Sequence, residues 1–564
     1  MKNFKPSPFK AVCEGNYLVI TFPYNPDLVA KVKTLNERRW NSDKKRWIAP
    51  ICLESVEKLR EWGFDLDYSI LAWADKLQAP PSLNIKSIPG LRKALFPYQL
   101  EGVQFIESRG GRALVADEMG LGKTAQALSW LQLHPKARPA IIVVPASLKL
   151  NWEREAAIWM SNPKVQILNG KPKSIRPKLG KDIVIINYDI LGNDYTKSKV
   201  VDGKKTKPVE IEWTGWVDFL IGIRPQVIVT DECHFFKSND AQRTKAVRKL
   251  AKGVPHFIAL SGTPATNKPA EMYNAISCVE PKLFPSFWKF GQRYCGAKNN
   301  GFGWEFNGAT NTAELHQKLT STIMIRRLKA DVLKDLPPKM RNVVPMQIEN
   351  DDTYRRAEDD FIAWVREEFG RKKAAKAKQA EALTRLEGLK QLAVQGKLAD
   401  CLEWIDNFLE TGEKLVVFAV HKFVIDALMA RFGREAVKVD GSVKNEDRQT
   451  AVDAFQNDES VRLFVGNIQA AGVGLTLTRA SNTCFLELPW TPAAVSQAED
   501  RVHRIGQESE SVNAWYLLAH GTIEEELAAL IDRKLQVLSH LLDGKEVDEE
   551  SMISELLAKY TKED

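Results

Sequence analysis

One run of thirteen residues, Arg112 to Thr124 (RALVADEMGLGKT), limits what this chain can fold into more than any other. Four apolar-rich residues suited to a strand lead into a turn with two glycines, then Lys-Thr, then a helical stretch. Gly120 and Gly122 let backbone N–H groups close around an anion at a helix N-terminus, where the dipole also favours negative charge. Lys123 is placed to reach the β- and γ-phosphates of a nucleotide, and Thr124 to ligate Mg²⁺. The strict G-x-x-x-x-G-K-T pattern has a glycine where this chain has Asp117. The cradle therefore reads Asp117, Glu118, Met119, Gly120, Leu121, Gly122, Lys123 and Thr124.

A strand–turn–helix of this kind belongs to a parallel sheet, and the rest of the chain supplies one twice over. Short β-rich runs alternate with helical stretches at Arg112 to Ala116, Ala140 to Val144, Ile183 to Asn187, Val227 to Thr230 and His256 to Leu260. A second series follows at Leu415 to Val420, Val437 to Asp440, Arg462 to Val465, Thr483 to Leu488 and Asn513 to Leu518. With 564 residues, room for several domains exists, and 44% apolar with 27% charged residues excludes wholesale disorder. The longest apolar strings, such as Lys414 to Val420, fall short of the ~20 residues a bilayer span needs. Met1 to Lys10 carries two prolines and no apolar stretch, so it is not a secretory signal, and an intracellular protein is expected. Seven cysteines without a C-x-x-C pair suggest reduced core thiols.

Two further segments carry chemistry. Gln226 to His234 (QVIVTDECH) sets two carboxylates at a strand end, where open α/β sheets bind ligands. Asp231 can hold Mg²⁺ and Glu232 can polarise an attacking water. Leu260 to Pro264 (LSGTP) puts the Ser261 and Thr263 hydroxyls at another strand end, suited to relaying phosphate status. In the second series, Gln497 to Gln507 (QAEDRVHRIGQ) places Arg501 and Arg504 three apart, and the spacing predicts one face of a helix carrying two guanidiniums. Such arginines neutralise the charge that builds on a transferring phosphoryl group.

The ends and connections read more simply. Ala79 to Gly90 (APPSLNIKSIPG) is a linker with three prolines. Thr353 to Leu409 is helical in character, and its basic stretch Gly370 to Lys378 reads as a solvated face. Asp194 to Lys207 resembles a surface hairpin or insertion, and the stretch from Thr522 onward reads as terminal helices. Residues 1 to 95 hold 16 Lys/Arg against 10 Asp/Glu, so +6 of the net +8 sits there. Within them Arg38, Lys45 and neighbouring basic residues bracket Trp40 and Trp47, a mixture suited to backbone phosphates and exposed bases. A unit this small also needs large apolar anchors, so each tryptophan reads as a core residue first and a DNA contact second.

The succession LFPYQ (Leu95 to Gln99), DEMGLGKT, VVPASLKLNW (Val143 to Trp152), DECH, LSGTP, RRLKADVL with LPPK (Arg326 to Lys339), AAGVGLTLT (Ala470 to Thr478) and QAEDRVHRIGQ resembles the Swi/Snf family of helicase-like ATPases. Phe290 to Lys298 (FGQRYCGAK), Gly303 to Asn311 (GWEFNGATN) and AAGVGLTLT look most like its annealing-helicase branch, which rewinds and remodels branched DNA. Residues 17 to 50 are similar to the HARP-type module of that branch.

The resemblance implies an α/β fold of two RecA-like parallel-sheet lobes with helical insertions, preceded by a small α+β HARP-like module. The implied order is module 1–75, linker 76–94, ATP-binding lobe 95–340, helical region 341–400, second lobe 401–525 and terminal helices 526–564. Gln99 would read adenine, and ATP with Mg²⁺ would be the cofactors. Ser261, Thr263, Gly474 and Gln497 would couple the nucleotide to bound double-stranded or branched DNA. Ser147, Lys149, Thr266, Asn267 and Gly472 would touch its phosphates. Cys233 replaces the commonest alanine of the Asp-Glu-Ala-His box, and Thr476 stands where many remodellers have asparagine. No membrane partner is expected, the sequence is silent on protein partners, and a cytoplasmic or nucleoid location is expected if the source is bacterial or phage. The rivals are a strand-separating DNA or RNA helicase and a non-hydrolytic junction-binding scaffold.

Overall fold

The computed structural model describes residues 8–15, 17–35, 37–78, 85–170, 183–191, 200–201, 204–205, 215–265, 268–299, 303–369, 376–471 and 475–542. The 79–84 part of the linker, most of the 194–207 insertion, the 370–375 part of the basic stretch, and 543–564 lie outside them. Two compact units form. The first holds residues 1–117, 123–146 and 155–326, and the second holds 118–122, 147–154 and 327–564.

In the first unit a seven-stranded parallel sheet runs Met324–Ile325, Arg112–Val115, His256–Leu260, Val227–Thr230, Ala140–Val144, Ile183–Asn187, Val165–Ile167 across its width. Its central strands are unbroken apolar runs because helices cover both faces; every residue of Ala140–Val144 and Ile183–Asn187 is buried. Burying each such Val or Ile contributes about 1.5–3 kcal/mol. The same unit carries a mixed five-stranded sheet in the order Arg39–Asn41, Arg46–Pro50, Tyr17–Thr21, Lys10–Glu14, Asp65–Leu66. Ala11, Leu18, Ile20 and Ala49 line one face and are fully buried. Helices Pro26–Val32, Leu53–Glu61 and Tyr68–Gln78 accompany this sheet, an α+β arrangement. Trp73 Nε1 donates to Glu280 Oε2 at 3.4 Å, and Lys282 lies over its ring, so the helix is seated on the rest of the unit.

In the second unit six parallel strands are ordered Lys339–Met346, Val512–Ala519, Asn482–Phe485, Leu415–Ala419, Leu463–Asn467, Ala436–Val439. The expected boundary at 340/341 falls inside the first of these, because Lys339–Met346 pairs over eight positions with Val512–Ala519 and so belongs to this sheet. Helices Asp351–Phe369 and Lys376–Leu409 precede the second strand of the series, Leu415–Ala419. Lys397, on the longer helix, buries its ammonium against Glu524 of the helix Ile523–Leu542 and the Leu517 carbonyl.

Six cysteines are buried and Cys13 is partly so, all as free thiols. Among the described residues no helix is long and apolar enough to cross a membrane.

Candidate nucleotide-binding site

Sheet register brings the motifs of the first unit together. Leu260 pairs with Val115 and Thr230 with Ala259, so the ends of three neighbouring strands lie nearly level. Asp117, Ser261 and Asp231 therefore leave the sheet along one edge, the edge at which parallel sheets bind ligands. Gly120 and Gly122 have φ of +82° and +75°, which only glycine adopts without strain, and the helix Lys123–Leu133 begins directly after them. Lys123 Nζ folds back to donate to the Asp117 carbonyl at 2.8 Å. The Asp117 side chain is wholly buried and accepts from Gln126 Nε2 at 2.9 Å, which accounts for an aspartate at the departing glycine position. Met119 and Leu121, within the turn, are buried, and Thr124 occupies the first turn of the helix.

Asp231 and Glu232 follow strand Val227–Thr230. Glu232 adopts φ +49°, a left-handed conformation uncommon for a residue with a side chain, and its N–H donates to Asp231 Oδ1 at 2.9 Å. The Tyr188 hydroxyl fixes the Asp231 carbonyl at 2.7 Å. Ser261 Oγ donates to Glu232 Oε2 at 3.3 Å and lies 3.2 Å from His234 Nδ1, while Thr263 N–H donates to the same Oγ at 3.2 Å. One hydroxyl thus ties the carboxylate, the histidine and the LSGTP turn. Burial pushes the His234 pKa down to about 4, so its ring is neutral at pH 7. The Cys233 thiol is driven well up, first by burial and then by the Glu232 and Asp231 charges, which leaves it an inert packing group. The Thr230 and Thr263 hydroxyl oxygens are buried with no hydrogen-bond partner, polar capacity that a bound group could satisfy.

Gln99 does not point its amide to solvent. It is 2% exposed, and its Oε1 caps the helix Pro97–Ser108 by accepting from Phe96 N–H at 3.0 Å.

The predicted helical face for Arg501 and Arg504 is corrected. The helix Pro492–Glu499 ends before either arginine. Glu499 and Asp500 are drawn instead into a buried charge cluster: Lys329 Nζ reaches Asp500 Oδ1 at 2.8 Å, Lys339 reaches Glu499 at 2.8 Å and Arg341 reaches Glu499 at 2.7 Å. Burial alone would raise the Asp500 pKa, but the Lys329 and Lys339 ammoniums hold it well below the usual range. The Arg501 carbonyl accepts from Leu477 N–H at 3.0 Å, a bond to a loop in place of a helical one, and Gly506 at φ +93° turns the chain away. The arginines still converge, since Nη1 of each donates to the Leu475 carbonyl, at 3.1 and 3.2 Å. Arg501 is buried and also donates to the Gln497 carbonyl. Arg504 lies beside Gly120, within the second unit, where a Cβ on the glycine would stand 3.0 Å from the Arg504 Cβ.

Of the DNA-contact candidates, Ser147 is half-buried and Lys149 is buried, which lowers the pKa of its ammonium. Thr266, Asn267, Gly472 and Gly474 lie outside the described residues. In the N-terminal sheet Trp40 and Trp47 stand opposite each other with ring centroids 5.2 Å apart. The core expectation fails for Trp40, which is 51% exposed because Arg39–Asn41 is an edge strand, while Trp47 is half-buried. Arg38 and Lys45 are exposed, and Lys45 sits in the hairpin turn at φ +46°. Sequence reasoning missed His234 and Lys329, whose partners emerge only from the fold.

Comparison with known proteins follows the same pattern. The SNF2-related domain matches residues 98–396, more than half of the chain, and the Helicase conserved C-terminal domain matches 396–506. The SWI/SNF-related matrix-associated actin-dependent regulator of chromatin subfamily A-like protein 1 of Xenopus tropicalis is 34% identical over 91% of this chain and 54% of that protein. Its Caenorhabditis elegans homolog is 32% identical over 93% of this chain and 75% of that protein. The DNA annealing helicase and endonuclease ZRANB3 of Mus musculus is 34% identical over 81% of this chain and 41% of that protein. The chain spans about half the length of the vertebrate subfamily A-like 1 relatives it matches. The glycine turn, the Asp-Glu strand end and the arginine pair are thus framed by two matched domains, and the chain belongs to the SNF2-related family.

Proposed function

We propose that this chain is a DNA-dependent ATPase that translocates on double-stranded DNA and remodels branched DNA by strand annealing or fork regression. The observation that carries this reading is the level alignment of the Arg112–Val115, His256–Leu260 and Val227–Thr230 strand ends, which groups Lys123, Ser261, Asp231 and Glu232 along one sheet edge. In this reading Lys123 leaves the Asp117 carbonyl for the β/γ-phosphates and the glycine turn cradles them. Thr124 and Asp231 would hold Mg²⁺, which neutralises charge between the phosphates when bound. Glu232, oriented by Ser261, accepts the proton of the attacking water, and neutral His234 keeps that hydroxyl in place. Arg504, beside Gly120, is the stronger finger candidate; buried Arg501 positions the loop at Leu475. The name of one relative, an annealing helicase, supports the branched-DNA part of the reading. Residues 95–340 and 401–525 would serve as the two motor lobes, 1–75 as the junction-binding module, in a protein acting inside the cell.

Steady-state ATPase assays without nucleic acid and with linear duplex, forked DNA, single strands and RNA test it. Forked DNA should stimulate most and RNA not at all. Stimulation chiefly by single strands or RNA would favour the strand-separating helicase, and no hydrolysis under any condition the scaffold. Lys123→Ala and Glu232→Gln should each lower turnover by about 100-fold or more while DNA affinity is kept; retained turnover in either would refute the site.

A further inference from the structure

A second aromatic cluster lies in the first unit. The helix Phe287–Tyr294 carries Trp288, and the short hairpin of Lys298–Asn299 with Trp304–Glu305 carries Trp304, with Phe306 just beyond it. Trp288 meets Trp304 edge to face at 5.1 Å and Phe306 at 5.5 Å, and Phe306 meets Phe287 at 5.4 Å. Yet Trp288 is 41% and Trp304 45% exposed.

The hairpin is held to the helix tightly. A Cβ on Gly291 would stand 2.5 Å from the Phe306 ring, so the missing side chain is what seats that ring. Gly296 and Gly308 approach so closely that a Cβ on either would lie 3.1 to 3.3 Å from the Cα of the other. Thr310 Oγ1 and Asn311 Nδ2 both donate to the Arg293 carbonyl, at 2.7 and 2.8 Å. This is a rigid mount that leaves two indoles facing solvent, where burying them would have stabilised the fold more.

Within the segment itself basic residues outnumber acidic ones. Residues 287–311 contain Lys289, Arg293 and Lys298 against the single acid Glu305. Arg293 is bound to Glu314, and exposed Lys298 stands opposite Glu305. Lys289 has its pKa lowered first by burial and then by the charge of Arg38, with Glu54 and Glu37 acting the other way, so the N-terminal segment and this helix share one neighbourhood of mixed charge. Protein interfaces deplete lysine at their centres, whereas aromatic faces set among positive charges suit unpaired bases with their phosphates.

We propose that Trp288 and Trp304 form a base-stacking platform for single-stranded DNA, engaging the unpaired strand of a branched substrate. The inference rests on the branched-DNA reading above for its substrate, but not on the nucleotide site. Full-length Trp304→Ala and Trp288→Ala proteins should bind a single-stranded oligonucleotide and a fork with a single-stranded arm about tenfold more weakly by fluorescence anisotropy, the loss of roughly one stacked base. Trp304→Phe should recover most of that affinity, and ATPase stimulated by linear duplex should be unchanged in all three. Unaltered single-strand and fork affinity in a Trp288→Ala/Trp304→Ala protein overturns the platform. Absence of DNA-stimulated ATPase in the wild-type protein, with single-strand binding still lost in the variants, overturns the motor reading and leaves the platform standing.

Discussion

His234 is held neutral in the folded chain with a pKa of about 4, against 6.5 for an unperturbed imidazole, chiefly by burial. His503, buried beside the Lys329 ammonium and hydrogen-bonded to the Pro337 carbonyl, is likewise lowered to about 4. A folded pKa below the unfolded one means that between these values the unfolded chain binds protons that the native one does not. Stability is therefore fully present above pH 6.5 and declines as pH falls from 6.5 towards 4. Urea midpoints at pH 7.5, 6.0 and 5.0 should fall in that order, and His234→Asn should flatten the decline. A flat wild-type profile would show that folding lowers neither ring's pKa. The placement of Lys123 at a helix start and of Asp231 and Glu232 after a strand is readable from sequence because local motifs fix it. The surroundings of His234 are not, because they depend on Ser261, which lies 27 residues away, just beyond the neighbouring strand.

At the level of elements, ten of the thirteen strands of the two parallel sheets could be read directly, since burial on two faces demands continuous apolar stretches, whereas the short Val165–Ile167 and Met324–Ile325 and the largely exposed Lys339–Met346 offer no such run. The Gln497 to Gln507 helix could not. Its pattern fits a helix, but Glu499 and Asp500 find Lys329, Lys339 and Arg341 from more than 150 residues away, and those pairings end the helix at Glu499. Trp40 was misjudged for a related reason: whether a tryptophan packs depends on whether its strand is central or at an edge, which spacing does not reveal. The Gly291 contact was equally invisible. Gly291→Ala should improve helix propensity yet drive Phe306 off the helix, at a cost of about 1–3 kcal/mol of stability. Thermal melting with hydrogen exchange across residues 296–310 would detect it, and Phe306→Leu in the same protein should relieve most of the loss.

For the whole molecule, the balance of charge matters less than where charges are hidden. The Lys397–Glu524 pair joins a long helix to the C-terminal helix of the second unit, with both side chains almost fully buried. Glu524→Gln leaves an unpaired ammonium in that interior and should cost about 3–5 kcal/mol, read as a lower urea midpoint. A Lys397→Met/Glu524→Leu protein should regain most of it; failure to do so would mean the hydrogen bonds to the 517–519 backbone carry the stability. The second sheet's strand order has a further consequence. Lys339–Met346 is the first of its strands to be synthesised, yet its one neighbour, Val512–Ala519, is the last. During synthesis that eight-residue strand emerges about 165 residues before its partner, so until Val512–Ala519 follows, its backbone donors and acceptors have no ladder to join.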